Sequence, residues 1–153
     1  MANQLPSGRV SAASASGQLP DGSVEQVSGG GDTTAPVLSS PTGTQTGTTT
    51  ATIGATTDEA NGTLYGYVSA SATPPSSADL KAGTGAVWSG SAAVSGTGAN
   101  TLNATGLTAS TGYYGHLLHT DAAANDSNIV TSAQFTTASG ASALPKIIQQ
   151  LGL

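Results

Sequence analysis

The run Leu107-Thr-Ala-Ser-Thr111-Gly-Tyr113-Tyr114, followed by an alternating stretch to Asp121, constrains this chain more than any other feature. It reads Leu-x-x-x-Thr-x-Tyr and feeds directly into a long strand. On either side, from Asp32 to Thr137, short runs rich in β-branched and aromatic residues are punctuated by Gly, Pro, Asn and Ser. Short strands with turn signals between them predict an all-β sandwich. The expected strands are 35–38, 48–57, 63–69, 86–88, 91–95, 100–107, 113–120 and 128–136. The wide connection after the third strand is expected to hold one helical turn over 77–82, capped by Ser76 or Ser77.

The surface of such a sandwich must be nearly uncharged. The chain has three basic and eight acidic residues, 7% of its length, where a globular protein usually has about a quarter. Little charge repulsion keeps copies apart, which suits a protein that lives assembled. The cations Arg9, Lys81 and Lys146 are dispersed and the net charge is −5, so a nucleic-acid partner is not expected. There is no Cys and hence no disulfide framework. No apolar run reaches the roughly 20 residues of a membrane span, and no membrane partner is expected. The start, Met1-Ala-Asn-Gln-Leu-Pro, lacks the basic and apolar regions of a secretory signal, so synthesis in the cytoplasm is expected.

Two extensions flank the sandwich in this reading. Residues 1–32 lack sustained periodicity and end in Gly29-Gly30-Gly31, the composition of an extended arm. Within the arm, Gln4-Leu5-Pro6-Ser7-Gly8-Arg9-Val10 is matched by Gln18-Leu19-Pro20-Asp21-Gly22-Ser23-Val24. Each copy can turn at its Pro and Gly and anchor through its Leu and Val. Residues 138–153 hold Leu144, Ile147, Ile148 and Leu151 at helical spacing, with Pro145 fit for a first turn. So short a helix needs a surface to dock on, either its own domain or a partner. The expected partner-binding anchors are therefore Leu5, Val10, Leu19, Val24, Leu144, Ile147, Ile148 and Leu151. Ordering the arm costs about 1–2 kcal/mol per residue, and each buried anchor returns about 1.5–3 kcal/mol. Four anchors do not hold such an arm, so main-chain bonding along a partner must contribute.

Residues 33–137 resemble a fibronectin type III-like module, and more narrowly the divergent kind in phage virion proteins. The resemblance rests on Asp32-Thr-Thr-Ala-Pro36, Thr56-Thr-Asp-Glu59, Gly62-Thr-Leu-Tyr65, the Leu107/Thr111/Tyr113 run, Thr120-Asp-Ala-Ala-Ala-Asn125 and Phe135-Thr-Thr137. It implies that Leu107, Thr111 and Tyr113 form a tyrosine corner. There the ring packs inside and the hydroxyl bonds back to the chain just upstream. The chain departs from the pattern in places, one being Ala109, where the corner often has a Pro. Ile53 stands where the second strand usually carries a Trp, and Trp88 lies in the excursion after the third strand.

Chemistry-bearing residues are few. His116 and His119 lie three apart on one strand, which puts them on opposite faces, unsuited to a shared metal. Asp58-Glu59 and Asp121/Asn125/Asp126 offer oxygens, but turn formation by Asp and Asn accounts for them as well. No catalytic residue, metal or cofactor is expected, and the chain is read as no enzyme. Trp88 is the candidate for surface recognition, because an exposed aromatic stacks on sugar rings. The resemblance implies a non-enzymatic virion protein, a capsid decoration or minor capsid protein. It would bind the major capsid protein or another virion protein through its terminal segments and project the sandwich from the particle. A homo-oligomer is expected, and a trimer would suit the three-fold points of a capsid. The alternative is a tail or fibre module that binds host-surface glycan.

Overall fold

The computed structural model describes residues 31–140. The chain divides after Asp32, and the unit from Thr33 onward holds every strand and the helix among the described residues. Two antiparallel sheets form a single β-sandwich. One has the order β1-β2-β5, from β1 (Leu38–Gln45), β2 (Ala51–Thr57) and β5 (Gly98–Ala104). The other has the order β4-β3-β6-β7, from β4 (Trp88–Ala93), β3 (Thr63–Ser69), β6 (Gly112–Thr120) and β7 (Val130–Thr131), with β8 (Phe135–Thr136) also paired to β6.

The alternation of the strands sets the core. Ile53 and Ala55 of β2, Leu64 and Val68 of β3, Leu102 of β5 and Tyr113 and Leu117 of β6 point between the sheets and are buried. Ile53, at the position of the missing Trp, is fully buried and fills the centre. The backbone closes down on it: a Cβ on Gly115 would fall 2.6 Å from Ile53 Cγ2, and one on Gly66 3.0 Å from Ile53 Cδ1. The smaller side chain at the centre is thus matched by glycines on the facing strands.

A second layer lies outside. Residue Ser76 caps helix α1 (Ser77–Ala82), its hydroxyl accepting from the Asp79 N–H at 3.1 Å. Gly83 ends the helix in the left-handed region, where a side chain would be strained. Leu80 of this helix packs with Tyr67 and Leu118 on the outer face of β3 and β6. Those two strands are therefore covered on both faces, which explains their near-continuous apolar sequence.

The tyrosine corner forms as the Leu-x-x-x-Thr-x-Tyr run implies. Tyr113 and Leu107 are buried, and the Tyr113 hydroxyl accepts the Thr108 N–H at 3.1 Å. Thr137 seals the corner by donating to the Thr108 carbonyl at 2.6 Å and accepting the Thr111 N–H at 3.1 Å. With two antiparallel sheets and this corner, the fold is fibronectin type III-like.

Besides a later start of β2 at Ala51 and an earlier end of β5 at Ala104, three strand expectations need correction. The first strand starts at Leu38, not Ala35, and runs through Pro41, which an edge strand tolerates where its register shifts between Ser39 and Thr42. The segments 86–88 and 91–95 are one strand, β4, because its whole length pairs with β3. The last strand is broken in two. Between β7 and β8, Ser132 turns its hydroxyl inward to accept the Gly115 N–H at 2.9 Å, replacing a ladder bond.

Candidate functional site

The eight anchors expected in the terminal segments, Leu5, Val10, Leu19, Val24, Leu144, Ile147, Ile148 and Leu151, lie outside the described residues. The structure does place the points where the chain enters and leaves the sandwich. At the entry, Val37 donates to Asp58 Oδ1 at 2.7 Å and accepts the Asp58 N–H at 3.3 Å. The Asn128 side-chain amide then grips Leu38 from both sides, accepting its N–H at 2.9 Å and donating to its carbonyl at 3.0 Å. At the exit, Ala138 donates to the Gly47 carbonyl at 3.1 Å and accepts the Ser110 N–H at 3.2 Å. β1 runs between these two points. Entry and exit therefore sit at opposite ends of the sandwich, roughly 25 Å apart for a strand of this length.

The entry end collects the acidic residues, on the loops after β2 and β6. Asp121 Oδ1 accepts the N–H groups of Ala123 and Asn125, each at 2.8 Å, and Oδ2 accepts the Asn125 side-chain amide at 2.8 Å. Burial pushes the Asp121 carboxyl up, but these hydrogen bonds outweigh it and hold the group below its ordinary value. Asp126 Oδ1 accepts Lys81 Nζ at 2.6 Å and the Thr120 hydroxyl at 2.7 Å. Here too burial raises the pKa and the bonds to Lys81 and Thr120 lower it further, with a net fall. Carboxylate oxygens of Glu59 and Asp121 lie within 4.8 Å of each other. Asp121 shapes its own loop, while Asp58 ties down the entry segment at Val37 and Asp126 ties the helix through Lys81, so all three carboxylates are engaged in holding the fold.

The histidines occupy opposite faces of β6, as their spacing requires, and both are fully buried. His119 faces inward, its Nδ1 2.9 Å from the Thr57 hydroxyl and its Nε2 2.7 Å from the Asn61 carbonyl. His116 faces outward beneath the excursion. Its Nε2 lies 3.1 Å from the Ser71 carbonyl and 3.2 Å from the Ser69 hydroxyl, and its Nδ1 2.9 Å from the Thr131 hydroxyl. Burial lowers the His116 pKa, and the bond to the Ser71 carbonyl offsets part of that. Among the described residues every buried side-chain polar atom has a partner. Both imidazoles act as buried cross-links between segments.

Trp88 opens the edge strand β4. Its ring lies across Gly90 and Gly66: a Cβ at Gly90 would fall 2.7 Å from Cζ2, and one at Gly66 3.3 Å from Cζ3. The side chain is half-buried against the main core. Sequence reasoning did not single out Asn128, Ser132 or Lys81, whose defining contacts, to Leu38, Gly115 and Asp126, are long-range and leave no local signal.

No family model matches the chain, and no curated protein matches it. Solved structures do. A myokine structure is 15% identical, covering 69% of this chain and 97% of its own, with a TM-score of 0.42. A fibronectin type III domain derived from the human KIAA0970 protein is 13% identical, covering 77% and 83%, with a TM-score of 0.44. The sensor domain of the anti-sigma factor RsgI4 from Pseudobacteroides cellulosolvens is 10% identical, covering 68% and 93%, with a TM-score of 0.35. The fold assignment itself rests on the strand order and the corner.

Proposed function

We propose that this chain is a non-enzymatic structural protein of a virion, a capsid decoration or minor capsid protein held by its terminal segments. The observation that carries the reading is the placement of entry and exit at opposite ends of the sandwich. A module leashed at both ends is held at two points, and attachment repeated over a symmetric shell adds avidity without a large interface at either point. The titratable groups at the entry end and on β6 are employed in the fold, which favours a scaffold over a reaction centre. The partner is the major capsid protein or another virion protein. Trp88, partly exposed on the edge strand β4, supports a second reading, a tail or fibre module that stacks on host glycan.

Co-sedimentation with emptied particles of the source virus tests the first reading. The full chain is expected to saturate a fixed number of sites. Deletion of residues 1–31, or of 139–153, is expected to weaken binding by about tenfold or more. Equal binding by both deletions would overturn attachment through the termini. Loss of cell or glycan binding on Trp88→Ala, with no binding to shells, would favour the fibre reading.

A further inference from the structure

The two flanks of the sandwich are finished differently. On the flank led by β1, the edge is blunted by Pro41, by the register shift at Ser39–Thr42, by Ser40 at φ 48° and by the Asn128 amide on Leu38. Each of these hinders another strand from pairing there. On the opposite flank, the edge strand β4 reads Trp-Ser-Gly-Ser-Ala-Ala, with no charge and no Pro. Its register with β3 is unbroken from Val68↔Trp88 to Thr63↔Ala93.

The direction of its main-chain groups follows from one bond. Val94 donates to the Gly62 carbonyl at 3.0 Å, continuing that register. In an antiparallel ladder hydrogen-bonded pairs alternate, so Ala92, Gly90 and Trp88 bond β3. Ser89, Ser91 and Ala93 therefore turn their N–H and C=O groups away from the sheet. No described residue hydrogen-bonds these outward groups. All three residues are exposed. On the same flank β5 is partly closed, since the Asn100 side chain donates back to the Gly98 carbonyl at 3.1 Å.

We propose that β4 is a self-association edge, where two copies of this chain pair antiparallel about a two-fold axis through Ser91 and join their sheets. The sequence fits its own reversed copy. With Ser91 opposite the partner's Ser91, Ser89 faces the partner's Ala93, Gly90 faces the partner's Ala92, and Trp88 faces the partner's Val94. Every facing pair on the outer surface is small, and the inner pair is apolar. No like charges meet, although each copy carries a net charge of −5. The pairing supplies about six main-chain hydrogen bonds.

Sedimentation equilibrium of the full chain up to millimolar concentration tests this. The expected species is a dimer. Ser91→Pro removes an N–H that β3 does not use, so it should leave the thermal midpoint nearly unchanged and weaken dimerisation by at least about tenfold. Ser91→Lys, which sets two cations face to face on the axis, should do the same. In this Cys-free chain Ser91→Cys introduces a sole thiol. Paired Cα atoms about 5.5 Å apart lie within disulfide reach, so mild oxidation should cross-link the dimer. Thr101→Cys, on the exposed face of β5, should not cross-link. A monomer at every concentration, a trimer, or a dimer indifferent to Ser91→Pro and Ser91→Lys would overturn the proposal. So would a dimer that Ser91→Pro spares and deletion of residues 1–31 abolishes.

Discussion

The inner and outer faces of the β4-β3-β6-β7 sheet are covered by different means. The inner face meets the other sheet, and its cover is mainly apolar: Ile53, Leu102 and Leu38 packed on Leu64, Val68, Leu117 and Phe135, with Thr57 on His119. The outer face meets a six-residue helix and its loops, and only Leu80 and Leu118 with Tyr67 form the buried cluster there. Three polar ties hold that cover down. The Tyr67 hydroxyl donates to the Thr84 carbonyl at 3.1 Å, Lys81 pairs with Asp126, and His116 meets the Ser71 carbonyl. The difference teaches that one strand pair serves two layers with different weak points. Cavities threaten the inner layer, and protons threaten the outer one.

The sharpest test of this contrast is a pair of truncations. Ile53→Ala should cost about 2–5 kcal/mol, since the glycines packed on Ile53 cannot fill the cavity. The whole domain should lose stability together, read as a lowered urea midpoint by every probe. Leu80→Ala should cost nearer 2 kcal/mol. Its effect should appear first as faster amide exchange in 77–82, with β2 still protected. Equal loss of protection in β2 and α1 would merge the two layers into one cooperative unit.

Acidification should act more gently, and on the outer layer first. His116 has a folded pKa below its ordinary 6.5, so from that pH downward the unfolded chain binds the proton and the folded chain does not. Stability is then full above 6.5 and falls as the pH drops toward the folded value. Among the described residues no carboxylate contacts the ring to compensate a charge: its neighbours are Tyr67, Ser69, Ser71 and Thr131. Asp121 and Asp126 are depressed below 3.8, so their contribution is intact until that range and is lost beneath it. Thermal melts between pH 7 and 5 should show the first loss, and His116→Gln should flatten it. An unchanged slope in that variant would remove His116 from the account.

Local signals carried much of this fold. The third strand lies where its alternation put it, Thr63–Ser69, and the helix is 77–82 with Ser76 as cap, because both depend on near neighbours. The corner was legible for the same reason: Leu107, Thr111 and Tyr113 are close in sequence. The errors arose where distant residues decide. Pro41 hides the length of β1, which an edge position permits. Gly90 appeared to divide β4, yet the Trp88 ring lies where a side chain there would stand. Ser132 breaks the last strand through a bond to Gly115, 17 residues away. The open edge was invisible to pattern reading, because which N–H groups face outward depends on the register with β3. The terminal anchors expected from the sequence lie outside the described residues.

The central claim is that the chain works by attachment within a particle. Electron microscopy of source virions labelled with antibody against this protein tests it most directly. The account predicts dense label over the head, repeated across the shell. Virions without label, with the protein found free in the lysate, would contradict it; label confined to the tail or fibres would replace decoration with adhesion.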